Sequence, residues 1–361
     1  MIGGPARLAL GTAGLGLLGY GAAVGAARVR PPAAASEAVV EELVDERLRR
    51  RGASGHHRYL GTSQGRIHIL EVGGGSTAII LVPGLGGSSG CYAALSAELG
   101  REFRVLALDL PGTGLSDPIE FAGHPRAAWA QVIGEVADLL GLERPHLVGH
   151  SMGGLAAGAY AVARPDRVGK LALLAPLGLA TDPPRSWLAA RIPGLPQLVF
   201  GLDGWIMDWQ WAHGARDMSG LPGGPVEVGP DPEGYRRLVT RRFHRGFDLQ
   251  AFARLLALTG FHPETRLLPG LGLLSHRTLV IFGEEDRKVA LEPAAAELAH
   301  YPGIALETVP HWGHLFPFLE PERTAGMLSG WLREARSTVA DPRSDGGGPG
   351  GRQSRSTQEA I

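Results

Sequence analysis

Ser151 lies in Gly149-His150-Ser151-Met152-Gly153, directly after the apolar pair Leu147-Val148. Gly-x-Ser-x-Gly between a strand and a helix describes a nucleophile elbow, where the glycines leave room for a turn too tight for side chains. A serine hydroxyl is too weak an acid to attack a carbonyl alone. It needs a base, a carboxylate that orients the base, and donors for the oxyanion. In the strand-elbow-helix arrangement these follow in chain order as serine, acid and histidine, each on a loop after a later strand. Asp286 closes Phe282-Gly283-Glu284-Glu285-Asp286 and is the expected acid, with Glu284 and Glu285 as substitutes better read as solvated loop charges. His314, in Pro310-His311-Trp312-Gly313-His314, is the expected base, and His311 is its rival. The expected oxyanion donors are the backbone amides of Met152 and of Leu85, the latter in Pro83-Gly84-Leu85-Gly86-Gly87.

Other chemistries fit less well. His311-x-x-His314 lacks the helical His-Glu-x-x-His arrangement and a third ligand, so no metal is expected. The glycine-rich loops do not make a Gly-x-Gly-x-x-Gly fingerprint followed by an acidic residue, and no cofactor is expected. The single cysteine, Cys91, excludes an intramolecular disulfide framework and a cysteine zinc site, and reads as a small buried hydrophobe. With 35 basic and 36 acidic side chains, no overall field favours nucleic acid as a partner.

The elements that must position these residues alternate. Strands are expected at 66–72, 78–82, 105–108, 146–148, 171–174, 278–282 and 305–309, with a short partner at 59–60 forming a hairpin turned at 61–65. Helices are expected at 92–99, 127–140, 155–163, 292–300 and 321–335. The 78–82 strand is wholly apolar, as a sheet covered on both faces requires. Alternation with short connections implies a doubly wound, mostly parallel α/β sheet.

The rhythm breaks at 180–277, which carries helical patterns and no convincing strand. It is expected to form a helical cap over the carboxyl ends of the strands. Trp205 and Trp209 are its candidate pocket residues, although tryptophans at such spacing more often pack helices together. The sheet domain with this cap is expected to span 59–336. Residues 337–361 are glycine-rich and polar, with nothing to bury, and are expected to stay unfolded.

Residues 1–35 hold an uncharged stretch at 8–27, about long enough to span a bilayer but diluted by glycine. It is expected to be a membrane anchor that associates the protein with a membrane, with a cleaved signal peptide followed by secretion, or an apolar tail, as the alternatives. Which side of a membrane the domain would face stays open, as does the oligomeric state. Residues 36–58 read as a linker helix, with Val39, Val40, Leu43, Val44 and Leu48 on one face. That face suits packing on the domain or lying on a membrane surface.

Leu81-Val82-Pro83-Gly84-Leu85-Gly86, Asp109-Leu110-Pro111-Gly112-Thr113-Gly114-Leu115-Ser116, Gly149-His150-Ser151-Met152-Gly153-Gly154 and Gly313-His314 followed by Glu320-Pro321 together resemble the capped α/β-hydrolase superfamily. Residues 147–178, taken with the amino-terminal segment, are similar to membrane-anchored monoacylglycerol lipases and bacterial lipases. Pro83-Gly84 replaces the His-Gly common in the oxyanion loop, and the proline usual before the acid strand is absent at His276-Arg277-Thr278. The resemblance implies a serine esterase or lipase acting on lipophilic esters such as monoacylglycerols. The alternatives on the same triad are C–C bond hydrolysis, thioester hydrolysis and cofactor-free perhydrolysis, and a non-catalytic binding protein is a third class. Serine rather than aspartate at 151 argues against epoxide hydrolase or dehalogenase chemistry.

Overall fold

The computed structural model describes residues 36–84, 87–117, 125–179, 267–286 and 289–333. In chain order the elements are α1 (Glu37–Arg49), β1 (Gly55–Thr62), β2 (Gly65–Val72), β3 (Ala78–Val82), α2 (Ala93–Leu99), β4 (Arg104–Leu108), α3 (Arg126–Leu139), β5 (His146–His150), α4 (Met152–Ala163), β6 (Leu171–Leu174), α5 (Leu268–Leu271), β7 (Thr278–Gly283), α6 (Leu291–Leu298), β8 (Ala305–Val309), α7 (Phe316–Leu319) and α8 (Pro321–Arg333).

Among the described residues the sheet has eight strands, in the order β1-β2-β4-β3-β5-β6-β7-β8. β2 pairs antiparallel with β1 and with β4, and every other pairing is parallel. The doubly wound, mostly parallel sheet expected from the sequence is therefore present. Strands β6 and β7 are buried along their whole length, and β3, β4 and β5 are buried after their first residue. Helices on both faces make this burial obligatory, which is why these strands are nearly continuous apolar runs. α2 packs against α1 and α8, while α3 packs against α4. Right-handed crossovers carry the two groups to opposite faces, because β3→β4 and β4→β5 step in opposite directions along the sheet. The order reverses at β3, so the connections leaving the carboxyl ends of β3 and β5 cross to opposite faces of the sheet.

The first strand corrects the expected hairpin. β1 begins at Gly55 and pairs with β2 over its full length, from Gly55 opposite Val72 to Thr62 opposite Gly65. The turn is therefore Ser63-Gln64 rather than 61–65. His56, His57 and Arg58 hid the strand because β1 is an edge, alternating between exposed and half-buried positions. It has no apolar run to detect.

Of the two readings of the α1 apolar face, packing on the domain is the one seen. Val44 and Leu48 join the core. Gly55 admits α1 closely, since a methyl group there would stand 2.7 Å from Leu48 Cδ1 and 2.8 Å from Leu70 Cδ1. At the start of α1, Arg66 pairs with Glu37 and also reaches Asp117, whose carboxylate accepts from the Arg66 amide. No helix among the described residues is long and apolar enough to cross a membrane. The 8–27 stretch, most of the expected cap and the 337–361 tail lie outside the described residues.

Candidate active site

The strand β5 runs directly into a residue that cannot relax. Ser151 has φ 53° and ψ −118°, a left-handed conformation that non-glycine residues rarely adopt. Its backbone is held from both sides: the amide donates to the Leu174 carbonyl at 2.9 Å, and its carbonyl accepts from Leu177 at 3.0 Å and Gly154 at 3.0 Å. The glycines flanking it are required by contact rather than by dihedral angle. A methyl group at Gly153 would lie 2.2 Å from the Val82 carbonyl oxygen, and one at Gly149 would lie 2.5 Å from the Gly153 carbonyl oxygen. The elbow is thereby wedged against the end of β3.

The acid loop leaves β7 and the base loop leaves β8, and adjacent parallel strands bring the two together. The amides of Glu284 and Glu285 donate to the carbonyls of Val309 and Trp312, at 3.1 and 2.9 Å. Asp286 then turns inward, and one carboxylate oxygen accepts from the Val289 amide at 2.9 Å. The other lies 2.8 Å from His314 Nδ1, and His314 Nε2 lies 3.0 Å from Ser151 Oγ. With Nδ1–H donated to Asp286, Nε2 is free to accept the serine proton; this tautomer is the one the network requires. The Asp286 side chain is fully buried, and that of His314 is 13% exposed. Trp312 stacks on Phe316, with ring centroids 4.9 Å apart, and stiffens the base loop from behind.

The rival side chains go elsewhere. His311 also has positive φ, 64°, but its side chain is 90% exposed and meets Glu285 at 3.2 Å. Glu284 accepts from Thr308 at the surface. Cys91 is buried, as expected of a small hydrophobe. Met152 heads α4, so its amide has no acceptor within the helix and carries the positive end of the helix dipole toward Ser151. Leu85, Trp205 and Trp209 lie outside the described residues. The loop ends are nonetheless defined. The Gly87 amide donates to the Gly84 carbonyl at 2.8 Å, and the Gly84 amide is already committed to the Tyr92 hydroxyl at 3.2 Å. An oxyanion donor from this loop must therefore come from beyond Gly84.

Sequence reasoning passed over Tyr92 and His150. Tyr92 is wholly buried, and its hydroxyl lies 2.6 Å from His150 Nδ1. His150 Nε2 in turn lies 2.9 Å from the His314 carbonyl. Burial first, and then the neighbouring His314 ring, push His150 down to about 3, so it is neutral at ordinary pH. The available signal was a histidine ending an otherwise apolar buried strand, since a buried imidazole requires partners for both nitrogens.

The model of the Alpha/beta hydrolase family matches residues 79–327, from the start of β3 into α8. The chain belongs to that family. Among its hydrolase relatives, the 2-hydroxy-6-oxononadienedioate/2-hydroxy-6-oxononatrienedioate hydrolase of Cupriavidus pinatubonensis is 30% identical over 264 residues, covering 70% of this chain and 86% of that protein. The 2-hydroxy-6-oxo-6-phenylhexa-2,4-dienoate hydrolase of Burkholderia cepacia is 27% identical over 266 residues, with coverages of 70% and 86%. In solved structures the hydrolase fold recurs in a thermophilic esterase from Thermogutta terrifontis. The TM-score is 0.58 at 26% identity, covering 77% of this chain and 98% of the esterase.

Proposed function

We propose that this chain is a serine hydrolase that cleaves an acyl group from a carbon leaving group, acting on 2-hydroxy-6-oxo-dienoates. The hydrolytic part of the reading rests on the continuous hydrogen-bonded line Ser151–His314–Asp286, at 3.0 and 2.8 Å. The choice of carbon over oxygen as the leaving atom is supported by the two hydrolases of that substrate class described above, each similar to this chain over 70% of its length.

The 2-hydroxyl proton of the substrate moves to C5, leaving a ketone at C2 that is conjugated with the C3–C4 double bond. Ser151 Oγ passes its proton to His314 Nε2 and bonds to C6. The resulting oxyanion is held by the Met152 amide and a second donor from the loop after β3. Collapse of the oxyanion breaks C5–C6, and the electron pair is taken up through the double bond onto the C2 oxygen as a dienolate. His314 returns its proton to that fragment. Water, deprotonated by His314, then attacks the acyl-serine, and the acid departs as Ser151 recovers its proton. Asp286 holds the imidazole tautomer and balances its charge while it carries the extra proton.

Ester hydrolysis is the second reading, favoured by the likeness to the Thermogutta esterase. It uses the same steps with an alkoxide in place of the dienolate. The purified protein should be assayed on 2-hydroxy-6-oxo-6-phenylhexa-2,4-dienoate, following loss of the dienol absorbance, beside p-nitrophenyl butyrate. A kcat/KM at least about tenfold higher on the dienoate is expected. The reverse preference would install the ester reading. Inertness to both, with no fluorophosphonate labelling of Ser151, would remove the hydrolase reading altogether.

A further inference from the structure

Three segments far apart in sequence meet around one buried imidazole. The Gly84 amide, in the loop after β3, donates to the Tyr92 hydroxyl at 3.2 Å. That hydroxyl has one proton, and with the amide already on its oxygen it donates to His150 Nδ1, 2.6 Å away. The remaining His150 proton, on Nε2, goes to the backbone carbonyl of His314 at 2.9 Å. The chain of bonds thus runs from the oxyanion loop, through the residue immediately before Ser151, to the backbone of the residue whose ring accepts from Ser151.

The direction of the links follows from the His314 carbonyl, which can only accept: it requires the proton on His150 Nε2, so Nδ1 accepts from Tyr92. Tyr92 and His150 are both fully buried, so water cannot replace a lost bond. Phe318, on α7, sits edge-on to both rings, with centroids 4.5 Å from Tyr92 and 5.6 Å from His150. Phe316 closes a further side of His150 at 6.4 Å. Gly84 packs directly beneath: a methyl group there would stand 3.0 Å from His150 Nδ1 and 3.1 Å from Ser151 Cβ. The core of an ordinary sheet domain does not require a tyrosine–histidine pair at this point, and two apolar rings would fill the same volume. What the polar pair adds is a fixed spacing between the oxyanion loop and the base loop.

We propose that Tyr92 and His150 are positioning residues that lock the oxyanion loop and the His314 loop to a common ruler. The distance between the oxyanion donors and His314 Nε2 is then set before substrate arrives. This inference rests on the serine-hydrolase reading but not on the identity of the leaving group. Neither ring touches the reacting atoms. Their effect is on the alignment of Ser151, His314 and the oxyanion donors, and misplacement of such groups by about 1 Å costs on the order of 100-fold in rate.

The test is the second-order rate of inactivation by a fluorophosphonate, which needs the nucleophile, base and oxyanion donors but no particular substrate. Wild type, Ser151→Ala, Tyr92→Phe, His150→Phe and the double variant are compared, each with its thermal unfolding midpoint. Tyr92→Phe keeps the ring and the packing on Phe318, so it remains informative if His150→Phe does not fold. Each single variant is expected to react about 10- to 100-fold more slowly while KM for a turned-over substrate moves less than about threefold. The double variant should be little slower than the worse single one, because the chain of bonds is broken only once. His150→Gln, which restores a donor toward the His314 carbonyl, should recover part of the rate. Tyr92→Phe reacting within about twofold of wild type, or losses that multiply in the double variant, would overturn the proposal. Wild type reacting no faster than Ser151→Ala would instead remove the hydrolase reading beneath it.

Discussion

His68 Nδ1 and Asp109 Oδ2 lie 2.8 Å apart with both side chains 1% exposed, forming a second buried histidine–carboxylate pair outside the Ser151 line. Asp109 also accepts from the Ser89 amide at 2.6 Å and the Leu115 amide at 2.8 Å. Burial alone would push its carboxyl up. The hydrogen bond and charge of His68, with the two amides, outweigh burial and hold it below the usual carboxylate range. Asp109 thus pins the loop 109–117 to the turn that opens α2. Asp109→Ala removes the acceptor shared by three buried donors, leaving the Ser89 and Leu115 amides without one and His68 only the Ser89 hydroxyl at 3.4 Å, and a loss of roughly 3–5 kcal/mol is expected. Equilibrium unfolding in urea checks it; a loss below about 1 kcal/mol would mean that water or a neighbour takes the carboxylate's place.

Stability should begin to fall in the histidine range of pH. Burial, and then the charges of Lys170 and Arg144, lower His146 to about 4, and His150 is lowered to about 3. For both, the folded value lies below the unfolded value of about 6.5, so the unfolded chain takes up protons first. Their contribution is whole above pH 6.5 and is lost progressively as pH falls toward the folded values, at up to about 1.4 kcal/mol per pH unit for each proton. Asp109 adds to the loss at still lower pH, with the same sign. Thermal midpoints recorded between pH 8 and 4 should decline from near 6.5, and His146→Gln should flatten the slope. A midpoint level down to pH 5 would show that the imidazoles are protonated without cost.

The two histidines of the base loop should behave oppositely. Asp286→Asn leaves the fold intact but donates where it should accept, turning His314 to the wrong tautomer, and kcat should drop by about 10⁴-fold. His311→Asn changes an exposed side chain at a left-handed position that asparagine tolerates, and activity should stay within about twofold. Steady-state rates on whichever substrate is turned over decide both. A large loss at 311 with little at 286 would move the base to His311 and the acid away from Asp286.

Gly153→Ala tests the wedge beneath the elbow. The added methyl would meet the Val82 and Pro83 carbonyl oxygens at 2.2 and 2.4 Å, both of them backbone, so the elbow itself must move. A destabilisation of about 1–3 kcal/mol and slower fluorophosphonate labelling are expected together. Unchanged labelling at reduced stability would show that Ser151 is aligned from elsewhere.

What could be read in advance follows a physical line. β3, β6 and β8 begin and end where their residue patterns place them, and Asp286 and His314 follow the ends of β7 and β8, hydrogen-bonded to each other. These features are local, carried by apolar runs and by the loops that close them. β1 was shortened because an edge strand has no apolar run, only the alternation of His56, His57 and Arg58. Tyr92 and His150 were invisible for a different reason. They are 58 residues apart, and each looks ordinary in its own segment. Only the reversal of strand order at β3, which sets the loops after β3 and β5 side by side, gives them a shared purpose.

Arg66, clasped between Glu37 and Asp117, also fixes an orientation. β2 runs against β4, so the beginning of β2 lies beside the carboxyl end of β4, where Asp117 follows. Ser151 follows the carboxyl end of β5, on the same rim of the sheet. The first helix therefore begins, at Glu37, on the side of the sheet where Ser151 stands. Ser36, the residue that caps the start of this helix, lies on the rim of the sheet that carries Ser151 rather than on the opposite rim.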